Sequence, residues 1–266
     1  MGVDYRPDHS FRIPDPTLNA AIGSPDACLR CHIDKTSEWS QETVNDWYGS
    51  GQTSHYGNII ASGRSGDPEA LDELIRLAAD PLYPVIVRAT ALSLLANYPG
   101  EASTQAMQIA LMDEEARMRR TAVEFIQAAD PQRLAKTLAN MLYDPVKTVR
   151  IEAARRLAGG LSVHLDATQK TLHQNVLQEY ETAMKYSGDF SFARYNLANL
   201  YTDLGRGEEA IEQFEAAIRI DNQFYPAKVN LAIAYSQQGK NQQAEVLLRE
   251  VMAEQPDLHE VAYSFG

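Results

Sequence analysis

Two series of internal repeats occupy most of this chain and restrict it to a fold in which similar units are stacked. In the middle third, positions recur at intervals of 31 residues: Arg88, Arg119 and Arg150; Ala91, Ala122 and Ala153; and the apolar Leu95, Ile126 and Leu157. In the last third the interval is 34 residues, which relates Leu197, Ala198, Tyr201, Gly205 and Ala210 to Leu231, Ala232, Tyr235, Gly239 and Ala244. Units of this length hold helix pairs, so the repeats predict an all-α protein.

The residues around these positions resemble two families of helical repeats. In the middle third, Asp80-Pro81 and Asp144-Pro145 precede recurring arginines. An N-cap Asp followed by Pro at the first helical position is a start signal, so we expect helices to begin there. Roughly residues 55–160 resemble HEAT-like repeats of the short bacterial kind, and the 34-residue units resemble tetratricopeptide repeats. The resemblance implies an α-solenoid of HEAT-like repeats followed by tetratricopeptide repeats.

Changes in sequence character predict three segments, residues 1–50, 51–160 and 161–266. Gly159-Gly160 marks the second boundary, because paired glycines end helices. Four prolines before residue 26 predict an extended chain over residues 3–26, followed by a helix from about Thr36 to Trp47. A further helix is expected at 168–186. The sequence stops at Phe265-Gly266, inside another 34-residue unit, which predicts a fragment of a longer protein.

The five residues Cys28, Leu29, Arg30, Cys31 and His32 form a Cys-x-x-Cys-His motif. This pattern is typical of covalent attachment of c-type haem, in which both thiols are bonded to one haem and the histidine binds its iron. We therefore expect a covalent haem c held by Cys28 and Cys31, with His32 as the proximal iron ligand. The chain contains 2 cysteines, both in this motif, so no disulfide framework is expected elsewhere.

Other interpretations of the two cysteines remain open. They could bind zinc together with two histidines from elsewhere, or they could be structural cysteines beside a surface histidine. A thioredoxin-like redox site is disfavoured, because nothing in the sequence indicates the strands of a βαβ unit.

The N-terminal region as a whole resembles bacterial multihaem c-type cytochromes. The similarity lies in the stretches 3–16 and 24–35 and in Trp39, Trp47, Tyr48 and Gly49. In that family a haem-rich N-terminal region leads into HEAT-like and tetratricopeptide repeats. The resemblance implies electron transfer, further haem motifs upstream and a periplasmic location. The first residues lack the apolar run of a signal peptide, which again predicts a C-terminal fragment.

The 6 histidines are expected to have different roles. A low-spin haem needs a second axial ligand, for which His9 and His55 are the candidates; a surface histidine is the alternative for each. His164, His173 and His259 lie in repeat segments and are expected to be solvated. Arg12 and Arg30 are candidates to pair with haem propionates, or are solvated surface arginines. The recurring arginines are expected to pair with acids of neighbouring repeats.

The 34-residue repeats predict a peptide-binding groove on the inward face of their first helices. Its expected members are Tyr195, Asn196, Asn199, Asn230 and Ile233. Asparagines there would hold the backbone of an extended peptide. The expected partner is another protein or an upstream haem domain of the same protein. The lysines that clamp a terminal carboxylate in chaperone adaptors of this family are absent at these positions, which disfavours a chaperone-tail receptor.

The charge distribution disfavours two classes of partner. The formal net charge is −12, and it divides into −4 for residues 1–50, −1 for 51–160 and −7 for 161–266. Both ends would repel phosphate groups, so neither nucleic acid nor an anionic membrane surface is expected as a partner. No apolar run approaches the roughly 20 residues of a membrane span.

Two functions follow from these observations. The chain is either an electron-transfer cytochrome segment on a scaffold for protein interactions, or a pure interaction scaffold in which the cysteine motif is unused or binds zinc. No nucleophilic triad, phosphate-binding loop or carboxylate pair indicates catalysis, and whether the parent protein is an enzyme is left open.

Overall fold

The computed structural model describes residues 14–49 and 55–255, and these ranges are helical with no β-strand. The all-α fold expected from the repeats is confirmed. The chain divides into two compact units between Gln127 and Ala128, within the region that resembles HEAT-like repeats. The boundaries predicted at residues 50 and 160 stay predictions.

The first unit contains seven of the described helices, which pack on sequence neighbours and on helices two places along the chain. They are α1 (Pro16–Ile22), α2 (Ser37–Tyr48), α3 (Tyr56–Ser65), α4 (Ala70–Ala79), α5 (Val85–Leu94), α6 (Glu101–Ala110) and α7 (Ala116–Phe125). A short 3₁₀ turn, Leu95–Asn97, follows α5. The core between α4, α5 and α7 contains Leu74, Leu92 and Met118, each at most 1% exposed. Helix α1 packs on α2 and α3, which joins the cysteine-motif region to the first repeat.

The second unit contains the other seven described helices, each packed on the next along the chain. They are α8 (Pro131–Met141), α9 (Lys147–Leu157), α10 (Ala167–Tyr186), α11 (Ser191–Asp203), α12 (Gly207–Ile220), α13 (Tyr225–Gln237) and α14 (Asn241–Glu254). A 3₁₀ segment, Gly159–His164, joins α9 to α10. The helix expected at 168–186 is confirmed as α10.

The 34-residue repeats form the helix pairs α11–α12 and α13–α14. The recurring alanines are buried because they lie where paired helices approach: Ala198, Ala210, Ala232 and Ala244. Gly205 and Gly239 end the first helix of each pair with φ of 72° and 74°. Only glycine adopts this left-handed conformation without strain, so the recurring glycines close the turn between the two helices of each pair.

The prediction that Asp80-Pro81 and Asp144-Pro145 begin helices was wrong. Helix α5 begins at Val85 and α9 at Lys147, several residues later. The aspartates close turns instead: Asp80 Oδ1 accepts the Leu82 amide at 2.9 Å, and Asp144 Oδ1 accepts the Val146 amide at 2.8 Å. These are Asx turns, in which the side chain imitates a backbone carbonyl and tightens the link between paired helices.

The prediction of an extended chain up to residue 26 was wrong for α1. Asp15 Oδ1 accepts the Leu18 amide at 2.9 Å, and Pro16 occupies the first helical turn. Proline is favoured there, because its missing N–H would have no partner in the helix. Residues 3–13 of that prediction lie outside the described residues. The helix expected at 36–47 is confirmed as α2, with Thr36 as N-cap.

The expected pairing of recurring arginines with neighbouring acids is observed at two positions. Arg88, with a side chain 10% exposed, donates through Nη2 to Asp113 Oδ2 at 2.6 Å and through Nε to the Ala78 carbonyl. Arg150 Nη2 donates to Glu179 Oε2 at 2.7 Å. These arginines therefore link successive helix pairs, which is a structural role.

Candidate functional site

The Cys-x-x-Cys-His motif forms one helical turn between α1 and α2. The carbonyl of Cys28 accepts the amide of Cys31 at 3.1 Å and the amide of His32 at 2.9 Å. This turn fixes the backbone from the first thiol to the histidine. The three side chains that would hold a c-type haem are therefore carried by a single short, hydrogen-bonded segment.

Asp26 joins this turn to helix α2. Its Oδ1 accepts the Cys28 amide at 2.7 Å, and its Oδ2 accepts the Ser40 hydroxyl at 2.6 Å. Ser40 is 0% exposed. Burial alone would raise the pKa of Asp26, but hydrogen bonds from Ser40 and from the Cys28 and Leu29 amides outweigh burial and lower it. Asp26 is therefore ionised at neutral pH and holds both partners through charge-assisted bonds.

The two thiols differ in environment. Cys28 is half-buried and Cys31 is exposed, and both are free. Burial raises the pKa of the Cys28 thiol, and the neighbouring Asp26 carboxylate raises it further. Redox-active Cys-x-x-Cys motifs depend on a thiol whose pKa is lowered. The Cys28 environment therefore disfavours a thioredoxin-like role.

His32 is exposed, and its ring lies 4.9 Å from that of Trp39 between centroids. Large apolar side chains are also exposed at Ile33 (87%), next to His32, and at Trp47 (69%) and Tyr48 (73%), at the C-terminal end of α2. Exposed apolar groups of this size are typical of surfaces that a ligand or partner covers. Two free thiols, one half-buried and one exposed, and an exposed imidazole on one turn match the donor set of a covalently attached haem, so the residues fit this group.

His55 is the described candidate for the second axial ligand. It is the N-cap of α3, where its Nδ1 accepts the Gly57 amide at 3.0 Å, and its ring centroid lies 4.2 Å from that of Tyr56. In a neutral imidazole that accepts through Nδ1, the proton is on Nε2. Binding iron through Nε2 would therefore require loss of this cap. The other candidate, His9, lies outside the described residues, and so does Arg12; Arg30 is exposed.

The zinc interpretation needs a cluster of ligands. Within residues 14–49 and 55–255, no group of three or more His, Cys, Asp or Glu side chains is arranged to hold a metal ion.

His173, which was expected to be solvated, is 5% exposed, and its Nε2 lies 2.8 Å from the Ala154 carbonyl. That expectation was wrong, because α10 packs this face on α9. His164 is exposed, and His259 lies outside the described residues.

The predicted peptide groove is a second candidate site, on α11 and α13. Asn230 donates through Nδ2 to Asn199 Oδ1 at 2.9 Å and to the Tyr195 hydroxyl at 3.3 Å. The Tyr195 ring lies 5.3 Å from Phe224 and 5.9 Å from Phe214 between centroids. This contact brings together three of the five predicted groove residues.

The other two predicted groove residues have different surroundings. Ile233 is 43% exposed, one helical turn beyond Asn230. Asn196 is half-buried, and its backbone carbonyl accepts the Tyr180 hydroxyl at 3.4 Å. The two Nδ2 protons of Asn230 are committed, whereas Asn230 Oδ1 and Asn199 Nδ2 bond no other described residue. One acceptor and one donor are therefore free to meet a peptide backbone.

Sequence reasoning missed Asp26 and Ser40 as members of the motif region. An Asp two residues before an amide at a turn is a detectable Asx signal. Ser40 carries no such signal, because its role depends on α2 folding back towards residue 26. Only the tertiary arrangement shows this contact.

Comparison with known proteins identifies part of the second unit. Residues 203–263 match the tetratricopeptide repeat family. No curated protein and no solved structure matches the chain. Within the described residues, no helix has both the length and the apolar character needed to cross a membrane. Tetratricopeptide repeats generally mediate protein–protein interactions, so this chain is a helical-repeat protein with an interaction scaffold in its C-terminal part.

Proposed function

We propose that this chain is an electron-transfer segment of a c-type cytochrome, mounted on a helical-repeat scaffold that binds protein. The observation that carries the proposal is the single hydrogen-bonded turn with two free thiols, one half-buried and one exposed, and an exposed imidazole. Cys28 and Cys31 would hold a covalent haem, and His32 would bind its iron. Bound haem supplies a one-electron redox couple. Such a protein is expected in the periplasm, as part of a longer multihaem chain.

The protein's own residues would perform two tasks at this site. The Cys28 carbonyl fixes the turn, and Asp26 ties the turn to α2. Ile33, which follows His32 and is 87% exposed, and Trp39, whose ring lies 4.9 Å from that of His32, provide apolar area that would exclude water from a bound ring system. Neither task requires the repeats, which agrees with a division between a redox segment and a scaffold.

Haem attachment is tested directly by an absorption spectrum, a pyridine haemochrome assay and the intact mass. The protein is exported together with haem-attachment machinery, and the double variant Cys28→Ala, Cys31→Ala is prepared in parallel. We expect covalent haem in the wild type and none in the variant. A colourless wild-type protein of unmodified mass would contradict the cytochrome proposal.

The pure interaction scaffold is the second candidate, and the groove contact of Asn230 with Asn199 and Tyr195 favours it. Its partner would be an extended segment of another protein or of an upstream haem domain. A photo-crosslinking residue at Ile233 (43% exposed) should capture this partner, whereas the same residue at Met252 (42% exposed) on α14 is the control. Equal capture at both positions would count against the groove.

A further inference from the structure

The two cysteines of the motif differ in their contacts with the rest of the protein. The Cys28 amide donates to Asp26 Oδ1 at 2.7 Å, and the half-buried Cys28 thiol lies beside the same carboxylate. Cys31 is exposed, and its amide donates to the Cys28 carbonyl within the turn itself. The position of Cys28 therefore depends on Asp26, whereas Cys31 follows from the turn.

Asp26 is in turn held by a buried group on a regular helix. The Ser40 hydroxyl donates to Asp26 Oδ2 at 2.6 Å, and Ser40 is 0% exposed on α2. Thr36 caps this helix by accepting the Trp39 amide, and α2 packs on α1. A site residue supported by a packed helix is positioned more accurately than one supported by a loop.

We propose that Asp26 is a positioning residue for haem attachment, which places Cys28 for its thioether bond while Ser40 fixes Asp26 to α2. This inference rests on the proposed function. Each attachment forms one S–C bond between a thiol and a vinyl group, and the thiol hydrogen goes to the neighbouring vinyl carbon, so no oxidant is consumed. Misplacing Cys28 alone should therefore leave haem bonded only through Cys31.

The experiment compares wild-type protein with Asp26→Ala and Ser40→Ala, each exported with haem-attachment machinery. Haem-bearing protein is alkylated with iodoacetamide and digested, and mass spectrometry counts chains in which Cys28 is alkylated and Cys31 carries haem. We expect this single-thioether fraction to rise about tenfold in Asp26→Ala, as for loss of one charge-assisted hydrogen bond. A smaller rise is expected in Ser40→Ala, which keeps the bond from Asp26 to the Cys28 amide.

Two further variants separate positioning from general damage. Asp46→Ala makes the same charge change at an exposed position of α2 and should resemble the wild type. Asp26→Asn keeps one acceptor oxygen for the Cys28 amide and should fall between wild type and Asp26→Ala. A variant that merely unfolds the segment would lose attachment at both cysteines, so a selective loss at Cys28 is the distinguishing result.

Hydrogen exchange of the Cys28 amide in haem-free protein gives a readout that does not require haem. The amide should exchange about tenfold faster in Asp26→Ala than in the wild type, because its acceptor is removed. Wild-type protein that carries haem, with unchanged adducts in both variants, would overturn the positioning role alone. Wild-type protein that takes up no haem would overturn the proposed function and this inference together.

Discussion

At the scale of single residues, His173 makes the stability of the second unit depend on pH. It is 5% exposed, and its Nε2 contacts the Ala154 carbonyl at 2.8 Å. Burial lowers the pKa of His173, although the hydrogen bond to Ala154 partly opposes this effect. The unfolded chain therefore binds a proton more readily than the folded one. Stability from neutral His173 is present above the unfolded pKa of about 6.5 and is lost as pH falls towards the folded pKa.

We expect His173→Gln to flatten this pH dependence. Glutamine offers a donor near the position of Nε2 but does not titrate. The measurement is the free energy of unfolding by urea between pH 5 and pH 8 in both proteins. His164→Gln, at an exposed position, should keep the wild-type slope. Parallel curves for wild type and His173→Gln would show that another group controls the pH dependence.

At the scale of helices and turns, the sequence predicts the existence of elements better than their ends. The 34-residue spacing located α11 to α14, because its alanines lie where paired helices approach and its glycines end the first helix of each pair. The Asp-Pro pairs were ambiguous. Asp130-Pro131 does begin α8, with Asp130 Oδ1 accepting the Gln132 amide at 2.9 Å, whereas Asp80-Pro81 closes a turn before α5. In both arrangements the aspartate accepts the amide two residues later, so the local sequence does not distinguish the start of a helix from a turn.

The N-terminus of α10 offers a test of element stability. Asp166 Oδ1 accepts the Gln169 amide at 2.8 Å, and Gln169 Oε1 accepts the Asp166 amide at 3.0 Å, which is a capping box. We expect Asp166→Ala to lower the free energy of unfolding by about 1 kcal/mol, because an orphan amide loses its partner. Asp189→Ala, an exposed position after the same helix, should change it by less than about 0.5 kcal/mol in the same denaturant experiment. Equal effects would contradict the capping role.

The contact between Arg88 and Asp113 offers a test of how successive helix pairs are joined. Their side chains are 10% and 17% exposed. Asp113→Asn removes the charge opposite Arg88 but keeps an oxygen for the Glu115 amide, which Asp113 Oδ1 accepts at 2.9 Å. We expect a loss of about 3 kcal/mol in the free energy of unfolding, because the arginine stays buried without its counter-charge.

The control for this ion pair is Glu114→Gln, which makes the same charge change at the neighbouring exposed position. It should alter the free energy of unfolding by less than about 0.5 kcal/mol. Replacing both partners, as Arg88→Met with Asp113→Asn, should recover part of the loss, because no unpaired charge is then buried. A double variant no more stable than Asp113→Asn would point to packing by the Arg88 side chain as the main contribution.

At the scale of the whole molecule, the sequence located the candidate sites but not the contacts that support them. The cysteine motif and the groove asparagines are recognisable because their chemistry depends on residue type and short spacing. Their supports are not local: Ser40 reaches Asp26 across 14 positions, and Asn230 reaches Asn199 across 31. Such contacts depend on how α2 and α13 pack, which short-range patterns do not encode.

The limited range of these contacts predicts which residues bound haem would stabilise. Within residues 14–49, the buried positions are Pro16, Ser40 and Val44, so this region contributes little to the core of either unit. In repeat proteins each element contacts its neighbours, and stabilisation at one end is therefore not transmitted far. Hydrogen exchange of haem-loaded and haem-free protein should differ in residues 14–49 and in α3, which packs on α1. Helices α11 to α14 should exchange equally in both forms, and faster exchange there without haem would contradict an independently folded scaffold.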